Sequence, residues 1–279
     1  MKQALTWCLL SAGTTHSAFA AVPHSPMKAI ESDLAQFSAK KEIRFDQLAH
    51  QWESKYGTDA VPSLVAIAKD PKKKDSERFV ALLSIARLNP KNASAITRPF
   101  FKDSSWMLRS AAIQSTVLRK DRTAAPDIIS LLKDPALVIR AEAATAIGDL
   151  KLETGEKPLL DALYEAKNYR PAGYQKGQAD WVTGRALESL RKLGNKESAQ
   201  QLLTLMNGAK DPKVRAQALY TIERLEGKKL VKSEKFKDRA LAWNQHYSTR
   251  TFTSQAAAKR APARGDAAAS SKHLPIEKK

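Results

Sequence analysis

The side chains to weigh first for catalytic or metal chemistry are the five histidines, His16, His24, His50, His246 and His273. They lie towards the two ends of the chain, and none forms a metal-like pair with a second ligand at helical spacing. No G-x-S-x-G, G-x-x-x-x-G-K-[ST] or H-E-x-x-H occurs, so the pattern offers no nucleophile elbow, phosphate cradle or zinc site. Carboxylates such as Glu142, Asp149 and Glu188 have the chemistry of general acids or bases, but solvated charge on a helix face is the ordinary use of such positions. On this inventory the chain is expected to be no enzyme and to hold no cofactor and no metal.

Two further sets have binding character. Arg78, Arg109, Arg140 and Arg215 recur in similar surroundings. A row of arginines can read phosphates, but arginines near the start of successive helices can also bridge the capping aspartates of adjacent units as an internal ladder, and that is the reading adopted. The second set lies in "YEAKNYRPAGYQKGQADW" (164–181), which combines Tyr164, Tyr169 and Tyr174 with Arg170 and Lys176. These types are favoured at binding hot spots, and loops that interrupt a regular array often carry function. A long turn with its tyrosines packed on the next helix is the equal alternative.

The elements that position these residues follow from an internal repeat. "DPALVIRAEAATAIGDL" (134–150) is echoed by "DPKVRAQALYTIERL" (211–225), and related phrases surround Arg78 and Arg109. The intervals between the arginines are 31, 31 and 75 residues. A degenerate copy, "WVTGRALESLRKLG" (181–194), with Thr183 in the arginine's place, splits the last interval into 43 and 32. A period of this size indicates a stacked array with one insertion. Each unit also has a first half, such as "APDIISLLKDP" (125–135), with apolar residues at helical spacing and prolines at 62, 126 and 158 where a first helical turn tolerates them. Asp134 and Asp211 stand where they can cap the next helix. Ala141, Ala144, Ile147 and Leu150 make one apolar stripe, rich in alanine so that neighbouring helices approach closely. Such pairs bury a face only against their neighbours, which predicts an all-α fold, an α-solenoid of about five helical hairpins.

The units resemble HEAT repeats, in particular the short HEAT-like type of the phycobilisome lyases. Asp134, Pro135, Val138, Arg140, Ala143, Ala144, Ile147 and Leu150 carry the resemblance, with Asp211, Pro212, Val214, Arg215, Ala218, Leu219, Ile222 and Leu225. It covers about residues 60–227. The resemblance implies the architecture well and the function poorly, since the family includes scaffolds, lyase-like chaperones of chromophore attachment and a DNA glycosylase. The last precedent directs notice to Asp180, Trp181 and Arg185 as an acidic and aromatic site on a basic solenoid. The expected export from genomic DNA argues against it, and a HEAT-fold enzyme acting on nucleic acid ranks third. Between aspartate and arginine the first three units carry extra residues compared with the last, so their second helices are expected to start a few residues off the pattern.

Second helices of such arrays usually line the concave face. Residues off the apolar stripe fall two, five and nine after the arginine position. The columns read Val80, Ala111, Glu142, Arg185, Gln217; Leu83, Gln114, Thr145, Glu188, Tyr220; and Arg87, Leu118, Asp149, Lys192, Arg224. The face is mixed in sign, which suits a protein partner better than a uniform polyanion. Partner contacts are therefore expected at Gln114, Glu142, Thr145, Arg185, Glu188, Lys192, Gln217, Tyr220 and Arg224, together with Tyr169, Arg170 and Tyr174 of the insertion.

The ends differ from the array. "MKQALTWCLLSAGTTHSAFAAVPHS" has one basic residue, a short apolar run and small Ala18 and Ala20, the layout of a secretory signal peptide cleaved after Ala20. Export to the periplasm is expected, with the extracellular space as the alternative. The single cysteine, Cys8, lies in the removed segment, so no disulfide or thiol chemistry is expected of the mature chain. Residues 21–59 read as N-terminal capping helices, with Met27, Ile30, Leu34 and Phe37 on one face and Phe45, Leu48, Trp52 and Tyr56 on another. Residues 228–248 read as a C-terminal capping helix with Ser233 as N-cap and Phe236, Ala240 and Trp243 on its buried face. The net charge is +18, and between 228 and 279 stand 13 Lys and Arg against four acids. Residues 249–279 are expected to be a disordered basic tail. The tail offers a second reading, recruitment to anionic membranes or envelope polymers by salt-sensitive attraction. Without interleaved aromatics it is a poor nucleic-acid binder.

Overall fold

The computed structural model describes residues 26–39, 45–168 and 182–260. All regular structure among them is helical. The described residues divide into two compact units, one ending at Pro90 and the other beginning at Lys91.

In the first unit α1 (Met27–Ala39) and α2 (Phe45–Tyr56) precede the hairpin of α3 (Val61–Lys69) and α4 (Asp75–Leu88). Ile30 and Leu34 of α1 and Leu48 and Trp52 of α2 are buried, as their helical spacing predicts. Trp52 is wholly enclosed, and its Nε1 donates to Asp33 Oδ2 at 2.9 Å, which satisfies the indole and ties α2 to α1. Pro62 sits in the first turn of α3, where its missing N–H costs nothing. Arg78 Nε donates to Ala68 O at 2.9 Å, joining α4 to the end of α3.

The second unit repeats a short first helix and a longer second one. The first helices are α5 (Ala93–Thr97), α7 (Ala125–Ser130), α9 (Glu156–Ala162) and α11 (Glu197–Gly208). The second helices are α6 (Trp106–Leu118), α8 (Leu137–Asp149), α10 (Val182–Leu193) and α12 (Pro212–Glu226), followed by α13 (Phe236–Arg260). Helices α5 and α7 tighten into 3₁₀ turns at Arg98–Lys102 and Leu131–Lys133 before their aspartates, a common way for a helix to end.

Asp211 caps α12 as expected: its Oδ1 accepts from the Lys213 N–H at 2.8 Å and Pro212 is the first helical residue. Asp134 instead accepts from the Ala136 N–H at 2.8 Å, and α8 starts only at Leu137. The two extra residues between aspartate and arginine shift that start.

The alanine stripe does what close packing requires. Ala144, Ile147 and Leu150 of the stripe are buried, with Ala143 beside them, while Ala141 at its start is half-buried. A Cβ at Gly148 would meet Ser189 Oγ at 2.5 Å and Ser189 Cα at 2.7 Å, so α8 and α10 cross at backbone distance there. Ser189 Oγ donates to Ala144 O at 2.7 Å across the same crossing.

Two expectations are corrected. Val80, Leu83 and Ala111, placed off the stripe by spacing, are buried, because α4 is apolar all round between Val80 and Ala86 and α6 is buried almost continuously from Leu108 to Ile113. Disorder from residue 249 is replaced by helix as far as Arg260, for the alanine-rich "SQAAAKR" favours helix and the first proline, Pro262, comes after it. Residues 261–279 of the expected tail lie outside the described residues, as does the expected signal peptide. The side chains of Phe37 and Phe45 are likewise outside them. No helix among the described residues is long and apolar enough to cross a membrane.

Candidate interaction face

The repeated arginines resolve first. Arg109 makes two hydrogen bonds to the Asp134 carboxylate, Nε to Oδ2 at 2.6 Å and Nη2 to Oδ1 at 2.8 Å. Its Nη1 donates to the carbonyls of Asp103 and Ser104 at 2.8 and 3.0 Å. One guanidinium thus closes its own hairpin and reaches the next. Arg140 repeats the arrangement one unit later, with Nη1 on the carbonyls of Asp134 and Pro135 at 2.8 and 3.0 Å. Its forward partners are Asn168 Oδ1 at 2.7 Å and Lys167 O at 2.8 Å, so asparagine takes the aspartate's place. Thr183, which replaces the arginine in the next unit, donates to Asn168 O at 3.3 Å. Arg215 keeps only the inward half, to Ala209 O at 2.7 Å and Lys210 O at 3.3 Å. The ladder is internal structure, and Arg109 and Arg140 are buried in it.

The opposite side of the second helices remains. Met107, Ala111, Gln114 and Leu118 of α6 share one face at i, i+4, i+7 and i+11, and Val138, Glu142, Thr145 and Asp149 of α8 share the equivalent face. Arg185, Glu188 and Lys192 continue it on α10, and Gln217, Tyr220 and Arg224 on α12. Cross-links join these faces. Glu142 takes hydrogen bonds from Ser110 and Gln114 of α6, while Gln114 Nε2 donates to Ser110 Oγ at 3.0 Å. Burial pushes the Glu142 carboxyl above its ordinary range, against the pull of those two hydrogen bonds, and its Oε2 is buried with no partner among the described residues. Lys192 Nζ reaches Asp149 Oδ1 of α8 at 2.7 Å and Glu188 Oε1 of its own helix at 3.2 Å. Glu188 also meets Arg185 at 3.5 Å. Between α10 and α12, Arg191 Nη1 donates to Thr221 Oγ1 at 2.8 Å, and its guanidinium carbon lies 5.2 Å from the Tyr220 ring centre. Arg191 is pulled below the usual arginine value first by burial, with Arg224 adding like-charge repulsion against Glu188 and Tyr220.

Of the expected partner contacts, Gln114, Lys192, Tyr220 and Arg224 are exposed, and Glu142, Thr145, Arg185, Glu188 and Gln217 are half-buried. Thr145 satisfies its hydroxyl on Ala141 O at 3.0 Å. Apolar surface accompanies them: Leu118 is 54% exposed, Tyr220 50% and Val138 38%. Arg191 was not among the expected residues, although it precedes Lys192 directly. Its position eight after the arginine register lay outside the three columns, and the signal that could have found it is a second cation in the last turn of α10. Of the insertion, Tyr164 is half exposed and its hydroxyl donates to Gln201 O at 3.0 Å on α11, the packed-tyrosine alternative. Tyr169, Arg170 and Tyr174 lie outside the described residues, as do Asp180 and Trp181. His50 is exposed beside Glu53, and His246 stands edge-on to Trp243 with ring centres 5.4 Å apart. Among the described residues no group of three His, Cys, Asp or Glu is placed to hold a metal ion.

The family model of HEAT repeats matches residues 96–172. No curated protein matches the chain in sequence. Among solved structures the chain is similar to "The structure of the complex of CpcE and CpcF of phycocyanin lyase from Nostoc sp. PCC7120", with 18% identity and a TM-score of 0.49 over 60% of this chain and 65% of that one. The chain therefore spans less than two thirds of that neighbour's length. The expectation that the chain is no enzyme is withdrawn: motif absence on a repeat fold is no argument against catalysis, and the neighbour found is itself described as a lyase. A likeness of this degree assigns no activity to the chain. The resemblance read from the aspartate, arginine and alanine positions is met by the HEAT-repeat model over residues 96–172, which include Asp134 to Leu150, and the regular structure of the described residues is all helical, as that resemblance implies.

Proposed function

We propose that this repeat protein works as an exported scaffold or adaptor that holds a protein partner on the faces of α6, α8, α10 and α12 opposite the arginine ladder. The observation that supports it most is the make-up of that surface. Half-exposed Leu118, Val138 and Tyr220 stand among Glu142, Glu188, Asp149, Arg185, Lys192 and Arg224, charges of both signs of which Lys192 and Asp149 pair between helices and Arg185, Glu188 and Lys192 pair within α10. Apolar anchors among fixed charges of both signs suit a protein surface, and a uniform polyanion would meet three carboxylates. The ladder of Arg109 and Arg140 leaves this face free by using the repeated arginines internally. The export in this reading is supported by the signal-like layout of the first twenty residues, and under it the partner is a protein of the envelope.

The test compares residues 21–279 with 21–260, the shorter chain cut after α13 rather than within it. Each is incubated with envelope extract and washed at low and high salt. A defined protein retained by both chains at high salt, and lost with Tyr220→Ala and Leu118→Asp, is the expected result. Retention that disappears with residues 261–279, or with salt alone, would replace this reading by recruitment to an anionic membrane or polymer.

A further inference from the structure

Charge along the candidate face is not evenly compensated. Arg185 has Glu188, and Lys192 has both Glu188 and Asp149. Elsewhere in the unit Arg98 pairs with Asp127, Arg109 with Asp134, Arg119 with Asp121 and Arg239 with Glu223. On the face itself Arg191 and Arg224 have no carboxylate within ion-pair distance among the described residues, and unlike Arg122, Arg140 and Arg215, which also have none, they donate to no backbone carbonyl among those residues. Arg191 is half-buried and held by the neutral Thr221 hydroxyl, and Tyr220 lies under its guanidinium. Glu188, one turn earlier, is the nearest acid in the helix but is engaged by Arg185 and Lys192.

Building on the partner-binding reading above, we infer that Arg191, Arg224 and Tyr220 form a seat for an acidic side chain, or a short run of them, on the protein partner. A guanidinium fixed by a hydroxyl and an aromatic ring keeps its outer N–H groups directed and loses little freedom on binding a carboxylate. Arg224, exposed and one turn beyond Tyr220, supplies the second cation. A carboxylate between them relieves the repulsion of two like charges. The remaining face carries Glu142, Asp149 and Glu188, so the favoured ligand is a peptide with localised acidity rather than a phosphate polymer. The competing account is that both arginines only complement the C-terminal dipoles of α10 and α12.

The probe is a dye-labelled octaglutamate peptide with both ends blocked, titrated by fluorescence anisotropy into the full chain at moderate salt, with the matching octaglutamine peptide as blank and an oligothymidylate as competitor. Arg191→Gln with Arg224→Gln is set against a charge-matched control in the tail, Lys278→Gln with Lys279→Gln. The expected result is a loss of roughly tenfold or more in the first variant and under about twofold in the control. Equal losses would reduce the effect to net charge, and no loss in the first variant would leave the dipole account. Displacement by oligothymidylate that also depends on the two arginines would make the seat a phosphate site. Each of these overturns the inference. Thermal melts confirm folding, and Arg224→Gln alone repeats the measurement with the Arg191–Thr221 bond intact. A captured partner that depends on Tyr220 but not on the two arginines would end the acidic seat while leaving the partner-binding reading standing.

Discussion

The guanidinium of Arg109 and the carboxylate of Asp134 form a bidentate pair at 2.6 and 2.8 Å, buried between consecutive HEAT units. Asp134 also accepts the Ala136 N–H. One carboxylate therefore organises the entry of α8 and receives the arginine of α6.

Removing one member leaves the other charged and enclosed. Asp134→Ala should lower stability by about 3–5 kcal/mol, much of it the cost of an uncompensated guanidinium. Arg109→Met with Asp134→Leu should recover a large part of that loss. Urea midpoints of the two variants and the parent decide it, and equal losses in the single and double changes would show that the Ala136 cap outweighs the ion pair.

Glu142 makes a statement about pH. Its folded carboxyl is raised above its unfolded value by burial, so its contribution to stability is present below the unfolded carboxylate pKa and is lost as pH rises through the folded one. Glu142→Gln should therefore melt higher than the parent at pH 7, and the gap should shrink towards pH 4. A gap that widens on acidification would reverse the assignment.

Gly148→Ala tests the α8–α10 crossing. The new methyl would stand 2.7 Å from Ser189 Cα, which cannot rotate away. Overpacking of this kind should cost about 1–3 kcal/mol, read as a lower denaturant midpoint with an unchanged slope.

Lys192 links Asp149 and Glu188 from a position about one third exposed. Lys192→Met should change stability by no more than about 1 kcal/mol and make it less dependent on salt. A larger loss would mean that this network, and not only the ladder, holds α8 to α10.

The repeat, the helical pairs and the arginine-to-aspartate step between units were all legible in the sequence. Periodic alanine and isoleucine mark the side of a helix that must be covered, and a polar pair recurring at one period has to do the same work in each unit. Depth and neighbours were not legible. Val80, Leu83 and Ala111 have the phase of surface residues yet are buried, because a second helix is covered by its hairpin mate as well as by the adjacent helices. The stacking of Arg191 on Tyr220 and the burial of Glu142 beside Ser110 arise between residues about 30 apart, at a helix separation set by contacts such as Gly148 on Ser189. Spacing within a helix records direction around its axis, whereas distance between helices depends on every side chain in the crossing. The chain alone thus determined which faces turn inwards, and only the packed tertiary structure decided which charges meet and which are left for a partner.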